Sequence, residues 1–171
     1  MPNWFRLPDR RIDLRGRVVL ISGGSRGLGL ELAREYGKRG ARLALVARDA
    51  DTLERAHRDL SERGVEVLAR PADIADRTAV GNVVAEVVAR FGTIDVLVND
   101  AGTIKVGPVD AMTIDDYRRA MDTHFWGPLY AIEAVLPHLR AKRFGRIVNI
   151  ASIGGRVSFP HLLPYNASKS P

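Results

Sequence analysis

The 171-residue chain contains no cysteine, which excludes disulfides and cysteine-ligated zinc and leaves the redox compartment open. It has no apolar run of membrane-spanning length, so no membrane span is expected. Its N-terminus lacks the apolar core of a signal peptide, and a cytoplasmic location is the expectation. No metal site is expected. Charge of one sign is in excess, with a formal net charge of +6 and a pI near 10.2, but it is not gathered into a stripe. Arginines alternate with acids, as in Arg34-Glu35 and Glu54-Arg55, the pattern of solvated helix faces. Aromatics make up 6% of the residues and do not interleave with basic runs, so a nucleic-acid partner is not expected. The surplus cations suit a polyanionic cofactor. A hydrophobic content of 46% against 27% charged residues excludes extensive disorder.

The most informative stretch runs from Val18 to Gly29, VVLISGGSRGLG. Four apolar residues in succession fit a strand buried on both faces. Glycines then break the run and lead into LELAREYGKRG, which has helical apolar spacing. In a strand–turn–helix setting, glycines let the backbone turn sharply and approach a pyrophosphate. The helix's first amides then face the anion. The spacing is G-x-x-x-G-x-G, and alone it fits a structural turn as well as a phosphate cradle.

The remainder repeats the alternation. Residues 1–16 read as an N-terminal tail, with Trp4-Phe5 a candidate surface contact, ahead of one dinucleotide-binding domain over 17–171. Strands are predicted at 42–47, 65–70, 93–98 and 145–152, and helices at about 27–39 and after Asp49. A further helix runs through VGNVVAEVVARFG, and one long helix over 113–142, capped by Thr113, is loosened or kinked at Pro128. A last helix opens after Pro164. Strands alternating with long helices, without hairpin turns, predict βαβ crossovers: an α/β, doubly wound, Rossmann-like parallel sheet of about five strands. Ligands bind such sheets at the carboxyl ends of the strands. Gly23, Arg48, Asp73, Asn99 and Ser152 each end or follow a strand.

From about Leu14 to Lys169 the chain resembles the short-chain dehydrogenase/reductase family. Ser22-Gly23-Gly24-Ser25-Arg26-Gly27-Leu28-Gly29 resembles its T-G-x-x-x-G-x-G, and Asn99-Asp100-Ala101-Gly102 its N-N-A-G, with Asp100 as the variant. Ser152 precedes Tyr165 at the family's usual interval, and Tyr165-Asn166-Ala167-Ser168-Lys169 is its Y-x-x-x-K. The resemblance implies that Gly23, Ser25, Arg26, Gly27, Leu28, Gly29, Asn99, Ala101 and Gly102 bind a nicotinamide cofactor. Asp73-Ile74 resembles the adenine-contacting pair. It also implies a catalytic Ser152, Tyr165 and Lys169, with Lys169 holding the nicotinamide ribose. The chemistry is sound on its own terms. Tyr165 and Lys169 stand one helical turn apart, on one face. A phenol with a pKa near 10 moves protons poorly at neutral pH, and an ammonium beside it favours phenolate.

One position departs from the family's tetrad, and cofactor choice is also readable. An asparagine of its catalytic tetrad is replaced by His124 in Met121-Asp122-Thr123-His124-Phe125-Trp126-Gly127, which fits a proton relay or a passive imidazole equally. The acidic residue that marks NAD-specific members corresponds to Ala47, followed by Arg48, while Arg26 lies in the glycine loop. Two arginines without a carboxylate favour NADP(H) over NAD(H), although Asp49 stands one place further on. The family continues beyond Y-x-x-x-K, whereas this chain ends at Lys169-Ser170-Pro171. The C-terminal strands are therefore expected to be missing, the fifth strand to be an uncovered edge, and this chain alone to lack useful turnover. A full-length form is expected to be a homo-oligomer. The substrate is expected to be a small carbonyl or secondary alcohol, hydrophobic if Phe159, Leu162 and Leu163 border it. A catalytically silent nucleotide-binding or interaction protein is the alternative.

Overall fold

A computed structural model describes residues 12–170; Trp4, Phe5 and Pro171 lie outside the described residues. Five strands, β1 (Val18–Ser22), β2 (Arg42–Ala47), β3 (Val67–Pro71), β4 (Val96–Asn99) and β5 (Arg146–Asn149), form one sheet in the order β3-β2-β1-β4-β5. All neighbouring pairs are parallel. Helices α1 (Gly27–Lys38), α2 (Ala50–Glu62) and α3 (Arg77–Phe91) make the crossovers, followed by α4 (Ile114–Met121), α5 (Gly127–Lys142) and α6 (Leu163–Lys169).

Side chains alternate between the two faces of each strand, and both faces are covered. Val18, Leu20, Ala44, Val46 and Leu97 face α3 and α5, which contribute Val80, Val84, Val87, Ala131, Val135 and Leu139. Val19, Ile21, Leu43, Leu45, Val96 and Val98 face α1 and α2, through Ala33, Leu53, Ala56 and Leu60. Each fully buried Val, Leu or Ile contributes about 1.5–3 kcal/mol. The central strands therefore dominate the stability, and their continuous apolar runs are the cause. Leu14, within the stretch read as a tail, is 7% exposed and packs in the α1–α2 layer.

Local signals explain most boundaries. Asp49 caps α2 by accepting the Thr52 amide at 2.7 Å. Asp76 caps α3 through Thr78 and Ala79, and Thr113 with Asp116 forms a capping box on α4. β3, β4 and β5 are shorter than the strands predicted at 65–70, 93–98 and 145–152. Val65, expected in β3, instead donates to the Leu60 carbonyl and closes α2.

The long helix predicted over 113–142 is a correction: it is two α-helices joined by a π-helical turn, Asp122–Trp126. Pro128, in the first turn of α5, has no amide to give. The Gly127 amide reaches back five residues to the Asp122 carbonyl, so the ladder widens where the proline would have broken it. Pro137 is accommodated inside α5.

Among the described residues β5 pairs with β4 alone and forms an edge, with Ile147 37% exposed. At the opposite end of the strands from the glycine turn, Asp95 receives Lys142 Nζ at 2.5 Å, the Val18 amide at 2.9 Å and Arg17 at 3.3 Å. Burial pushes this carboxyl up. The hydrogen bonds from Lys142 and Val18, with the charges of Lys142 and Arg17, outweigh burial and hold it below the usual range.

Candidate active site

β1 lies between β2 and β4, so the connections leaving it and its neighbour run to opposite sides of the sheet. A cleft of about 520 Å³ opens there, at the strands' carboxyl ends. The glycine turn supplies Gly23, Ser25, Arg26 and Gly27; β2 and β3 end in it at Arg48, Asp73 and Ile74; β4 leads into it through Asp100, Ala101 and Gly102. Gly23 has φ +80, and a Cβ there would stand 2.7 Å from the Ala101 backbone. Only glycine lets the β1 turn lie this close to the β4 turn.

Helix α1 begins at this cleft with Arg26 as an extended N-cap and no side-chain cap of its own. Its first amides are thus available to an anion. One exception is Gly29, whose amide bonds the Asp100 carboxylate from across the turn. Burial raises the Asp100 pKa, against the opposing charge of Lys169 and the Gly29 bond. Asp49 also lines the cleft, but its carboxylate is engaged at Thr52, whose side chain and then amide lower its pKa, with help from the charges of Arg55 and Arg26.

Of the expected cofactor residues, Leu28, Gly29, Asn99, Tyr165 and Lys169 fall outside the cleft lining. Leu28 is 53% exposed. Asn99 is buried and donates from Nδ2 to Asn149 Oδ1 at 2.8 Å, tying β4 to β5 beneath the site.

The second half of the site hangs on β5 and α6. Ser152 follows β5 and accepts the Gly154 amide at 3.1 Å, leaving its own hydroxyl proton free to donate. A Cβ on Gly154 would stand 3.1 Å from the Tyr165 ring and 3.4 Å from Ser152 Oγ, so the two side chains converge on that glycine. A Cβ on Gly155 would run into the Lys169 carbonyl. This glycine pair lets the Ser152 turn lie flat against α6. It was readable two residues after Ser152, and sequence reasoning passed over it.

Lys169 donates from Nζ to the Ile150 carbonyl at 2.9 Å. Burial lowers its pKa, partly offset by Asp100, which places the ammonium within electrostatic reach of the cleft lining. Asn166, 5% exposed, donates to the Phe159 carbonyl at 2.8 Å and pins the loop before α6. His124, on the π-helical turn, presents its ring edge to Tyr165 at 5.4 Å between centroids. Its nitrogens meet the Thr103 amide and Ser168 Oγ. Neither partner carried a signal of its own in the sequence, since both meet His124 only through the fold. A smaller cavity of about 190 Å³ borders Tyr165, with Thr103, Lys105, Asp116 and Arg119 in its wall.

A Rossmann-like α/β sheet, with a glycine turn at its switch point and a Ser–Tyr–Lys cluster beside it, defines a narrow class of proteins. The family model described as short chain dehydrogenase matches residues 17–171, and the chain belongs to that family. An uncharacterized oxidoreductase of Bacillus subtilis is 32% identical over 156 residues, covering 91% of this chain and 61% of that protein. Dehydrogenase/reductase SDR family member 7B of Bos taurus is 36% identical over 173 residues, covering 97% of this chain and 52% of that one. Among solved structures, NAD+-bound xylitol dehydrogenase superposes with a TM-score of 0.88 at 32% identity, over 92% of this chain and 61% of that one. A metagenomic short-chain oxidoreductase in complex with NADP gives 0.86 at 32%, over 93% and 72%. The chain thus spans about half to two thirds of the length of the curated relatives named here.

Proposed function

We propose that the protein transfers hydride between a nicotinamide dinucleotide and a small-molecule carbonyl or secondary alcohol, with Tyr165 as general acid and base. The observation that carries this reading is the convergence of Ser152 Oγ and the Tyr165 ring on Gly154, with Lys169 one turn along α6. The cleft fits a dinucleotide: α1 offers uncapped first-turn amides, Gly23 permits close backbone approach, and Arg26 and Arg48 add positive charge. The dinucleotide supplies or takes up the hydride when bound. Ser152 donates its free proton to the substrate oxygen and fixes it. Tyr165 gives that oxygen a proton in reduction and removes it in oxidation. Lys169, held by the Ile150 carbonyl, favours the phenolate by its charge and reaches the cofactor ribose.

NADP(H) is the preferred cofactor. Similar structures hold either NAD+ or NADP, so the choice lies in this chain's own residues. β2 ends in Ala47 and Arg48 rather than an acid, and the nearest carboxylate, Asp49, is committed to capping α2. Phe159 and Leu163 expose apolar surface beside α6, which supports a hydrophobic substrate. Exposed Phe125 and Trp126 support a homo-oligomer.

The test is Tyr165→Phe in the whole protein, assayed by NADPH oxidation against a panel of ketones and aldehydes. Turnover falls by orders of magnitude while cofactor binding survives. Lys169→Met damages both. A Tyr165→Phe variant with most of its activity sinks the proton-donor assignment. NADPH binding without turnover in the unmodified protein points to the silent nucleotide-binding alternative.

A further inference from the structure

The bonds around His124 determine its proton. Nε2 accepts the Thr103 amide at 3.1 Å, so that nitrogen is bare. Nδ1 lies 2.7 Å from Ser168 Oγ. The Ser168 hydroxyl has one proton, and donates it to the Tyr165 carbonyl at 3.0 Å. Facing Nδ1, the hydroxyl must then accept, which puts the ring proton on Nδ1. Each group donates forward: Thr103 amide to imidazole, imidazole to Ser168, Ser168 to the Tyr165 carbonyl. A proton cannot pass through the ring without breaking both of its bonds.

We propose that His124 is a positioning residue acting through Ser168: its neutral Nδ1–H imidazole fastens the α6 turn that bears Tyr165 and Lys169 to the segment leaving β4. Ser168 is 8% exposed, so its two bonds are shielded from competing water. Tyr165 and Lys169 face the ring from α6, and Asp100, just after β4, faces Lys169. Burial, and then the Lys169 charge, hold the imidazole down to about 4, so it stays neutral through the physiological range. Helix α6 has seven residues, too few to be stable unaided. An external tie to its last turn, at Ser168, therefore bears on where the phenol and ammonium stand. Only the effect on turnover rests on the dehydrogenase reading; the tie itself does not.

Two measurements on the chain decide the matter without any substrate. Nitrogen-15 NMR of labelled histidines, assigned with His124→Asn, reads the ring directly. The expected state at pH 7 and 5.5 is protonated Nδ1 and bare Nε2. A ring protonated on Nε2, or on both nitrogens at pH 5.5, overturns the proposal. Amide hydrogen exchange then reads α6. Ser168→Ala speeds exchange over residues 163–169 by roughly three- to tenfold, the loss of about one hydrogen bond, and Ser168→Thr, which keeps the hydroxyl, restores it. Unchanged exchange in Ser168→Ala overturns the proposal.

A third measurement uses the whole protein. Ser168→Ala lowers kcat with an unmoved pH–rate profile, whereas a displaced limb in His124→Gln makes the ring a proton carrier and overturns the positioning role. Absence of turnover in the unmodified protein defeats the dehydrogenase reading alone, since the first two measurements still decide the tie.

Discussion

Lys142 Nζ stands 2.5 Å from Asp95 Oδ1, joining the end of α5 to the foot of β4. The Asp95 side chain is 2% exposed, while Lys142 and Arg17 keep about a third of theirs in water. Removing the carboxylate therefore strands the Val18 amide more than it strands the cations. Asp95→Ala is expected to destabilise the fold by about 2–4 kcal/mol, read as a lower urea midpoint. A variant within about 0.5 kcal/mol of the parent would show the cluster to be ornamental.

Arg48 and Arg26 are expected to select the phosphorylated cofactor. Arg48→Ala should weaken NADPH by about 1–3 kcal/mol, roughly 5- to 150-fold in Kd, with little effect on NADH. Calorimetric titration of both cofactors checks this. Equal dissociation constants in the unmodified protein count against the assignment.

Stability should depend on pH through His124. Its folded pKa is about 4 against the ordinary 6.5, so between those values the unfolded chain binds the extra proton. The contribution is complete above about pH 6.5 and is lost as pH falls toward 4. Asp100, raised by burial, opposes this trend at the acidic end. Urea midpoints at pH 7, 5.5 and 4.5 should fall in that order, and the slope should flatten in His124→Asn. An equal slope in the variant assigns the effect to another group.

Two glycines offer opposite outcomes for one substitution. Gly155→Ala drives a Cβ into the Lys169 carbonyl and is expected to cost about 1–3 kcal/mol, displacing α6. Gly81→Ala, in the exposed interior of α3 with nothing within 4 Å of the new Cβ, is expected to gain about 0.5–1 kcal/mol. Thermal melts of the pair check both signs together.

Much of the architecture was legible because local cause and global result coincide. β1 and β2 are apolar in sequence since both faces are covered, and Asp49 and Thr113 announce the helices they cap. The Ser152–Tyr165–Lys169 cluster was legible from spacing. Other features depend on contacts between distant segments. The bond that Asn99 makes to Asn149 appears only once β5 lies beside β4. Asp100 reads as a variant loop residue until the turn folds its carboxylate onto the Gly29 amide. The widened turn at Asp122–Trp126 hides within an unbroken helical pattern, where Pro128 signals a disturbance without showing its form.

That turn holds one residue more than an α-helical turn needs. Side chains advance about 100° per residue along an α-helix, so 114–121 and 127–142 drawn on a single wheel fall one step out of phase. In space the wide turn absorbs the step, and Ala120 and Ala131 both reach buried positions. Deleting a residue elsewhere in α4 or α5 rotates a whole face away from its partner. Deleting one within 122–126 leaves both faces in place and removes only the widening that aims His124. The surplus residue is thus separable from its scaffold: in descent, one codon gained or lost there re-aims the ring at the site while both helices keep their neighbours.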